Sequence, residues 1–329
     1  MSYQTSKDVR AFNHSAIVSL TTSALMLGLA FGCGRPSETD LGSSVQNQDL
    51  AEIRLLAPQA SPVDVELIAD VSIIQSGNDF KLGVLLDIEP GWFIYWKNPG
   101  ASGDPTQVDF ALPPDFVHGP LRWPSPIRVT SPDAIEGYGY RDQVLLQTDV
   151  QASNHDPDHE WHLTATVNWL ACQEECLPGQ AFIELLLPVS ISGTRLINHG
   201  NVARFENWST RVPTRLDAAN RPFSAELRTG VHTPTAMVKP EMILQWTVLP
   251  SNIEWFPSQV TATVFPTSEW RTTRQRTEVV FNRPTNDNRS LSEFSSEVQA
   301  ITGVVTYTSS NGERLAAELS VDLKQLSEG

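Results

Sequence analysis

The chain has 329 residues, 40% of them hydrophobic and 19% charged, with a formal net charge of −15. That apolar share supports a packed core and excludes wholesale disorder, and the length suits two domains. The acidic balance argues against nucleic acid as a partner, because phosphate binding needs a basic face.

Residues 1–33 read as a targeting signal. Lys7 and Arg10 form a short positive region, and the uncharged run AIVSLTTSALMLGLAFG leads to Cys33. This run is short and polar for a membrane-spanning helix. Its end, LAFGC, resembles a bacterial lipobox, which implies that Cys33 becomes the lipidated first residue and anchors the chain to a membrane. Ordinary signal cleavage and an uncleaved anchor stay open. Residues 34–60, rich in Ser, Gln, Asp, Gly and Pro, read as a flexible tether. After Cys33 no apolar run approaches the roughly 18 residues of a membrane span, so the expected body is soluble and extracytoplasmic.

From Val63 the chain turns strand-like, with VDVELIAD, FKLGVLLDIEPGW and QVLLQTDVQ between turn residues. Prolines crowd residues 97–135, which excludes continuous helix and predicts extended loops over a sandwich. WHLTATVNWLA is the cleanest strand: Trp161, Leu163, Ala165, Val167 and Trp169 alternate with His162, Thr164, Thr166 and Asn168. AFIELLLPV is the next strand, and the pair predicts an antiparallel hairpin connected through Cys172 to Gly179. NVARFENWSTRV predicts a connecting helix over 201–212, capped by Asn201 and stopped by Pro213. Seven further strand-like segments, including MILQWTVLP, VTATVFPTS and FSSEVQA, predict a second β domain over 222–327. The expected fold class is all-β: an immunoglobulin-like β-sandwich over 61–190, a linker with a short helix over 191–221, then a second, smaller β-sandwich-like domain.

WLACQEECLPGQ carries the chemistry. Cys172 and Cys176 are the only thiols besides Cys33. Outside the cytoplasm such a close pair forms a disulfide. Four residues of extended strand span about 13 Å, too far for a bridge, so the chain must turn between the cysteines. The loop closed is short, worth about 2 kcal/mol by chain entropy, which makes it a poor staple. Glu174 and Glu175 between the cysteines disfavour a thiolate and are possible modulators of the pair. The residues alone leave a passive disulfide and a redox pair open; a zinc clip lacks a second pair of ligands. In NHDPDHEWH, His155, His159 and His162 stand near carboxylates and form the one candidate copper or zinc loop, against a plain solvated turn. No P-loop, nucleophile elbow, zincin or dinucleotide motif occurs.

GWFIYWKNPGASGDPTQVDFALPPDF, GPLRWPSPIRV, GYGYRDQVLLQTDV and VNWLACQEECLPGQAFIELLLPV occur in that order. Together they resemble the periplasmic N-terminal domain of the DsbD/ScsB family of thiol:disulfide interchange proteins, over about residues 60–190. The resemblance implies an immunoglobulin-like sandwich whose cysteine pair, here Cys172 and Cys176, relays electrons between a membrane module and periplasmic partners. The family's usual GWHTYW is GWFIYW here, so Phe93 and Ile94 replace a His and a Thr. The CxxxC spacing is that of the ScsB-like branch. The resemblance does not extend to the multi-span segment or the thioredoxin-like domain, which implies a separate periplasmic or membrane redox protein as partner. Tyr138 and Tyr140, flanked by Gly137 and Gly139, are the candidate cap over the disulfide. No cofactor is expected. Beside the relay stand two other readings: a lipid-tethered binding or scaffold protein with an inert disulfide, and a periplasmic metal-handling protein.

Overall fold

Alternation of apolar and polar side chains along each strand decides the architecture, because a period of two gives every sheet one face to bury. The structure, a computed structural model, describes residues 61–75, 77–152, 160–190, 197–215, 222–230, 239–265, 267–282 and 300–322. The signal segment, the tether, Cys33, His155, His159 and most of FSSEVQA lie outside them.

The first strands are β1 (Val63–Ala69), β2 (Ile74–Gln75), β3 (Phe80–Ile88), β4 (Phe93–Gly100), β5 (Gln107–Ala111) and β6 (Phe116–His118). They continue with β7 (Ile127–Thr130), β8 (Glu136–Tyr140), β9 (Gln143–Ala152), β10 (Glu160–Cys172) and β11 (Cys176–Ser190). One sheet runs β1-β3-β9-β6; the other runs β2-β11-β10-β4-β8-β7, with β5 also paired to β10. Their facing sides form one hydrophobic cluster that includes Leu82, Val84, Leu86, Val144, Leu146, Leu163, Ala165 and Val167. The predicted β10 alternation holds: Leu163, Ala165, Val167, Trp169 and Ala171 are buried, while His162 points outward and Trp161 is half-buried at the strand's open end. The fold is all-β and sandwich-like, as expected, and the proline-rich stretch supplies only short strands.

Helix α1 (His199–Ser209) starts earlier than the sequence predicts. Asn198, not Asn201, is the cap: its side chain accepts from Asn201 N at 3.2 Å, while Asn201 Nδ2 donates to Ala69 O at 2.9 Å. Phe205 and Trp208, three apart on one helical face, are buried in the same cluster as the sandwich core, so the helix is packed and not a bare connector.

The remaining strands are β12 (Thr214–Arg215), β13 (Phe223–Gly230), β14 (Lys239–Trp246), β15 (Ser251–Pro257), β16 (Thr267–Thr273), β17 (Arg276–Asn282), β18 (Ala300–Thr308) and β19 (Arg314–Asp322). They form two four-stranded sheets, β12-β19-β18-β15 and β13-β14-β17-β16, around a second cluster containing Trp246, Trp255, Phe281 and Tyr307. VTATVFPTS, read as a strand, instead opens with helix α2 (Gln259–Val264). Ser258 wins locally: its hydroxyl accepts from Thr261 N at 3.2 Å and caps the helix that its β-branched residues would otherwise disfavour.

Phe256 of β15 and Val304 of β18 belong to the first cluster, so the β12–β19 body is packed on the sandwich. Asn98, buried on β4, donates Nδ2 to Pro257 O at 2.7 Å. A buried amide with that partner avoids the cost of an unmade hydrogen bond. Among the described residues, no helix is long and apolar enough to cross a membrane.

Candidate functional site

The β10–β11 hairpin places the cysteines. Its ladder runs without a break from Glu160 opposite Pro188 to Cys172 opposite Cys176. The connection is therefore only Gln173–Glu175, tighter than the predicted Cys172–Gly179 link, and Gln173 N donates to Glu175 O at 3.0 Å. Pro178 lies within β11 opposite Leu170. It is tolerated there because β11 pairs beyond β10 only at Val189 and Ser190, so no outer partner asks for the missing N–H. The two sulfurs are joined, with the Cα atoms 4.1 Å apart.

The two halves of this disulfide have opposite surroundings. Cys176 is exposed and Cys172 is 0% exposed. Cys172 sits in a small cluster of its own with Phe93, Tyr95 and Val129, against which Ile127 and Leu170 pack. This cluster lies on the face of the sheet opposite the main core, because Phe93 and Tyr95 alternate with the core residues Ile94 and Trp96 along β4. Phe93 is in register with Cys172, and the rings of Phe93 and Tyr95 meet edge to face at 5.3 Å. Arg141 stacks over Phe93 at 5.2 Å and donates to Gly91 O at 3.2 Å.

Tyr95 Oη lies 3.9 Å from Cys172 Sγ, and in the disulfide the hydroxyl is the donor. Thr106 Oγ1 donates to Tyr95 O at 2.6 Å and fixes the backbone there. The ring fits because two glycines border it. A Cβ at Gly103, whose φ is +95°, would stand 2.3 Å from Tyr95 Cζ, and one at Gly137 would stand 3.0 Å from Tyr95 Cε1. Burial first, then the charges of Asp104 and Asp133, push the Tyr95 hydroxyl above its ordinary value. It stays protonated at neutral pH and remains a donor toward the sulfur.

The cap position assigned to Tyr138 and Tyr140 is corrected by this geometry. Both point to the opposite face of β8: Tyr140 is buried in the main core and donates to Pro124 O at 2.7 Å. Tyr138 packs edge to face on Phe256 at 5.2 Å. The residues that cover Cys172 are Tyr95, Phe93 and Val129. The signal for them was the period of two along GWFIYW, which puts Phe93 and Tyr95 on one face. Glu174 and Glu175 are exposed in the turn. His162 is exposed, ten residues before Cys172 along β10, and contacts Glu184 through Nδ1. Ten strand residues span about 33 Å, so His162 stands far from the sulfurs. Among the described residues, no group of three or more His, Cys, Asp or Glu gathers in a way that holds a metal ion.

Tyr95→Phe removes the hydroxyl and keeps the ring. In a reduced Cys176→Ser background the Cys172 thiol pKa is expected to rise, because a hydrogen bond to its thiolate is lost. The pH dependence of alkylation measures this, and an unchanged titration rejects the contact.

Residues 59–188 match the family described as thiol:disulfide interchange protein DsbD, N-terminal. The fold is similar to the crystal structure of the N-terminal periplasmic domain of ScsB from Proteus mirabilis. The two share 16% identity at a TM-score of 0.55, over 81% of this chain and 96% of that one. A share of 81% cannot be reached before residue 188 of 329, so the likeness includes part of the second β body. The major pilin SpaD from Corynebacterium diphtheriae is matched at 8% identity and a TM-score of 0.26, over 78% of this chain and 61% of that one. No curated protein matches the chain in sequence.

Proposed function

We propose that this chain, whose residues 59–188 resemble the N-terminal domain of the thiol:disulfide interchange protein DsbD, is an extracytoplasmic thiol–disulfide relay acting through Cys172–Cys176. The observation that carries the reading is the asymmetry of the pair: an exposed Cys176 joined to a Cys172 buried under Tyr95. Exchange proceeds by in-line attack of a thiolate on one sulfur of a disulfide, and access decides which. A thiolate of the partner's dithiol attacks Cys176 Sγ. The Cys172–Cys176 bond breaks, and Cys172 leaves with the electron pair as a thiolate facing the Tyr95 hydroxyl. The partner's second thiolate then attacks the partner sulfur of the mixed disulfide and releases Cys176. The partner is oxidised to its disulfide, and the pair here gains two electrons and takes up two protons. The same steps in reverse pass the electrons to the next disulfide.

The partners this chemistry requires are thiol–disulfide redox proteins, periplasmic or membrane-bound, one supplying electrons and one accepting them. The reading needs no cofactor. Its test is the reduction potential of the pair, titrated in glutathione or dithiothreitol buffers with alkylated thiols counted. A value near about −200 mV, in the range of exchange proteins, is expected; a value below roughly −300 mV would mark an inert structural disulfide and return the chain to the binding or scaffold reading.

A further inference from the structure

The β7–β8 hairpin has two working faces. On one, Ile127 and Val129 pack in the Cys172 cluster and Gly137 lies against the Tyr95 ring. On the other, Arg128 and Tyr138 point at the second β body. The Arg128 guanidinium stands 5.8 Å from the Tyr138 ring and 5.7 Å from the Phe256 ring. Its Nε meets Glu254 Oε1 at 3.4 Å, and its Nη1 donates to Glu136 Oε2 at 3.3 Å. Phe256 itself is 0% exposed. The segment leading into the hairpin is fastened at each residue: Pro124 O accepts from Tyr140, Ser125 N donates to Arg211 O at 2.8 Å, and Pro126 O accepts from Arg314 Nη2 at 2.8 Å. Arg314 also stands 3.8 Å from Glu254. The same short hairpin therefore covers the buried sulfur on one side and is gripped by the second body on the other.

We propose that the second β body serves as a brace. Arg128, held between Tyr138, Phe256 and Glu254, keeps the β7–β8 hairpin closed over Cys172 and so confines attack to Cys176. The proposal rests on the relay reading, since only a disulfide that exchanges needs guarding. Arg128 and Phe256 are positioning residues: neither touches the sulfurs, and both act through Val129 and Tyr95. A covered sulfur is reached through local opening, and its reaction rate follows the open population. Two bulky strand residues on one face and a stacked, ion-paired arginine on the other give this hairpin its closed state.

The test compares the rate at which a small alkylating reagent modifies the Cys172 thiol in a Cys176→Ser parent and in the same parent carrying Arg128→Ala, Arg128→Lys, Phe256→Ala or Thr277→Ala. Thr277→Ala removes the 2.9 Å hydrogen bond from Trp246 Nε1 in the other sheet of the second body, away from the hairpin. It controls for general weakening of that body. Arg128→Ala and Phe256→Ala are expected to be alkylated at Cys172 about tenfold faster than the parent, Arg128→Lys to fall between, and Thr277→Ala to match the parent. Equal rates throughout, or a Thr277→Ala variant as fast as Arg128→Ala, overturn the brace. Arg128→Ala carries the comparison if Phe256→Ala unfolds the second body, because the arginine side chain is 33% exposed and its loss leaves no large cavity. The two readings fail separately. A wild-type pair that glutathione buffers never reduce overturns the relay, while the ratio of Cys172 alkylation rates still decides the brace.

Discussion

Cys172→Ser is expected to form a stable mixed disulfide with a redox protein that itself brings the disulfide, and Cys176→Ser is expected not to. The first variant leaves one exposed thiol and the second leaves one thiol with no exposure. Access should separate their alkylation rates by about a hundredfold in the folded state. Each substitution should lower catalysed exchange by about a thousandfold or more, because no second thiol remains to complete the transfer. Both variants should stay folded. The bridge closes a three-residue turn, Gln173–Glu175, and a loop that short contributes only about 2 kcal/mol. The core around Leu163, Ala165 and Val167 does not depend on it. A non-reducing gel after mixing with a thioredoxin-like protein that lacks its second cysteine and carries the first as a mixed disulfide with thionitrobenzoate, which leaves as the free thiolate when the variant's thiol attacks, together with urea unfolding, gives the result. Trapping at Cys172 in place of Cys176 would reverse the assigned attack. Loss of fold in either variant would make the pair a staple.

Gly139→Ala should be the most damaging single methyl at the site. A Cβ there would stand 2.2 Å from Ile94 O, a backbone atom of the paired strand, and 3.4 Å from Val129 Cγ1. Gly139 is opposite Tyr95 in the β4–β8 ladder, so neither strand can yield without breaking their pairing. Overpacking against backbone typically costs about 1–3 kcal/mol, and the lost ladder adds to it. The expected outcome is a fall in stability of roughly 3 kcal/mol in urea unfolding and, in a Cys176→Ser background, a Cys172 thiol that is alkylated faster. A variant as stable as wild type would show that β8 does not lie this close to β4.

What the sequence made legible was whatever depends on short spacing. The β10 alternation, the turn demanded between cysteines four apart, and the scarcity of long strands among the prolines all follow from local geometry, and all are present. Helix α1 was visible through Val202, Phe205 and Trp208, yet its start was misplaced because either asparagine suits a cap. VTATV was read as a strand from its β-branched residues, while the cap at Ser258 overrides that preference. Glycine neighbours make Tyr138 and Tyr140 look like a mobile cap in the sequence. Those glycines instead clear space for Tyr95 and Val129 on the opposite face. The grip of the second body was not readable at all. Asn98 and Pro257 are 159 residues apart, and Arg314 and Pro126 are 188 apart, beyond any local pattern.

The ladder that ends at the opposed cysteines has a kinetic consequence. Twelve rungs from Glu160–Pro188 to Ala171–Leu177 precede the last one, and none of them needs the sulfur–sulfur bond to form. After reduction the backbone therefore still presents the two thiols to each other, with their Cα atoms held near 4.1 Å. One thiol then meets the other at an effective molarity far above that of any dissolved competitor. A mixed disulfide at Cys176 is consequently short-lived: Cys172, already aligned behind it, expels the incoming sulfur unless the partner's own second thiol acts sooner. The hairpin thus favours partners that carry a ready dithiol over stray monothiols, a kinetic filter set by strand register alone.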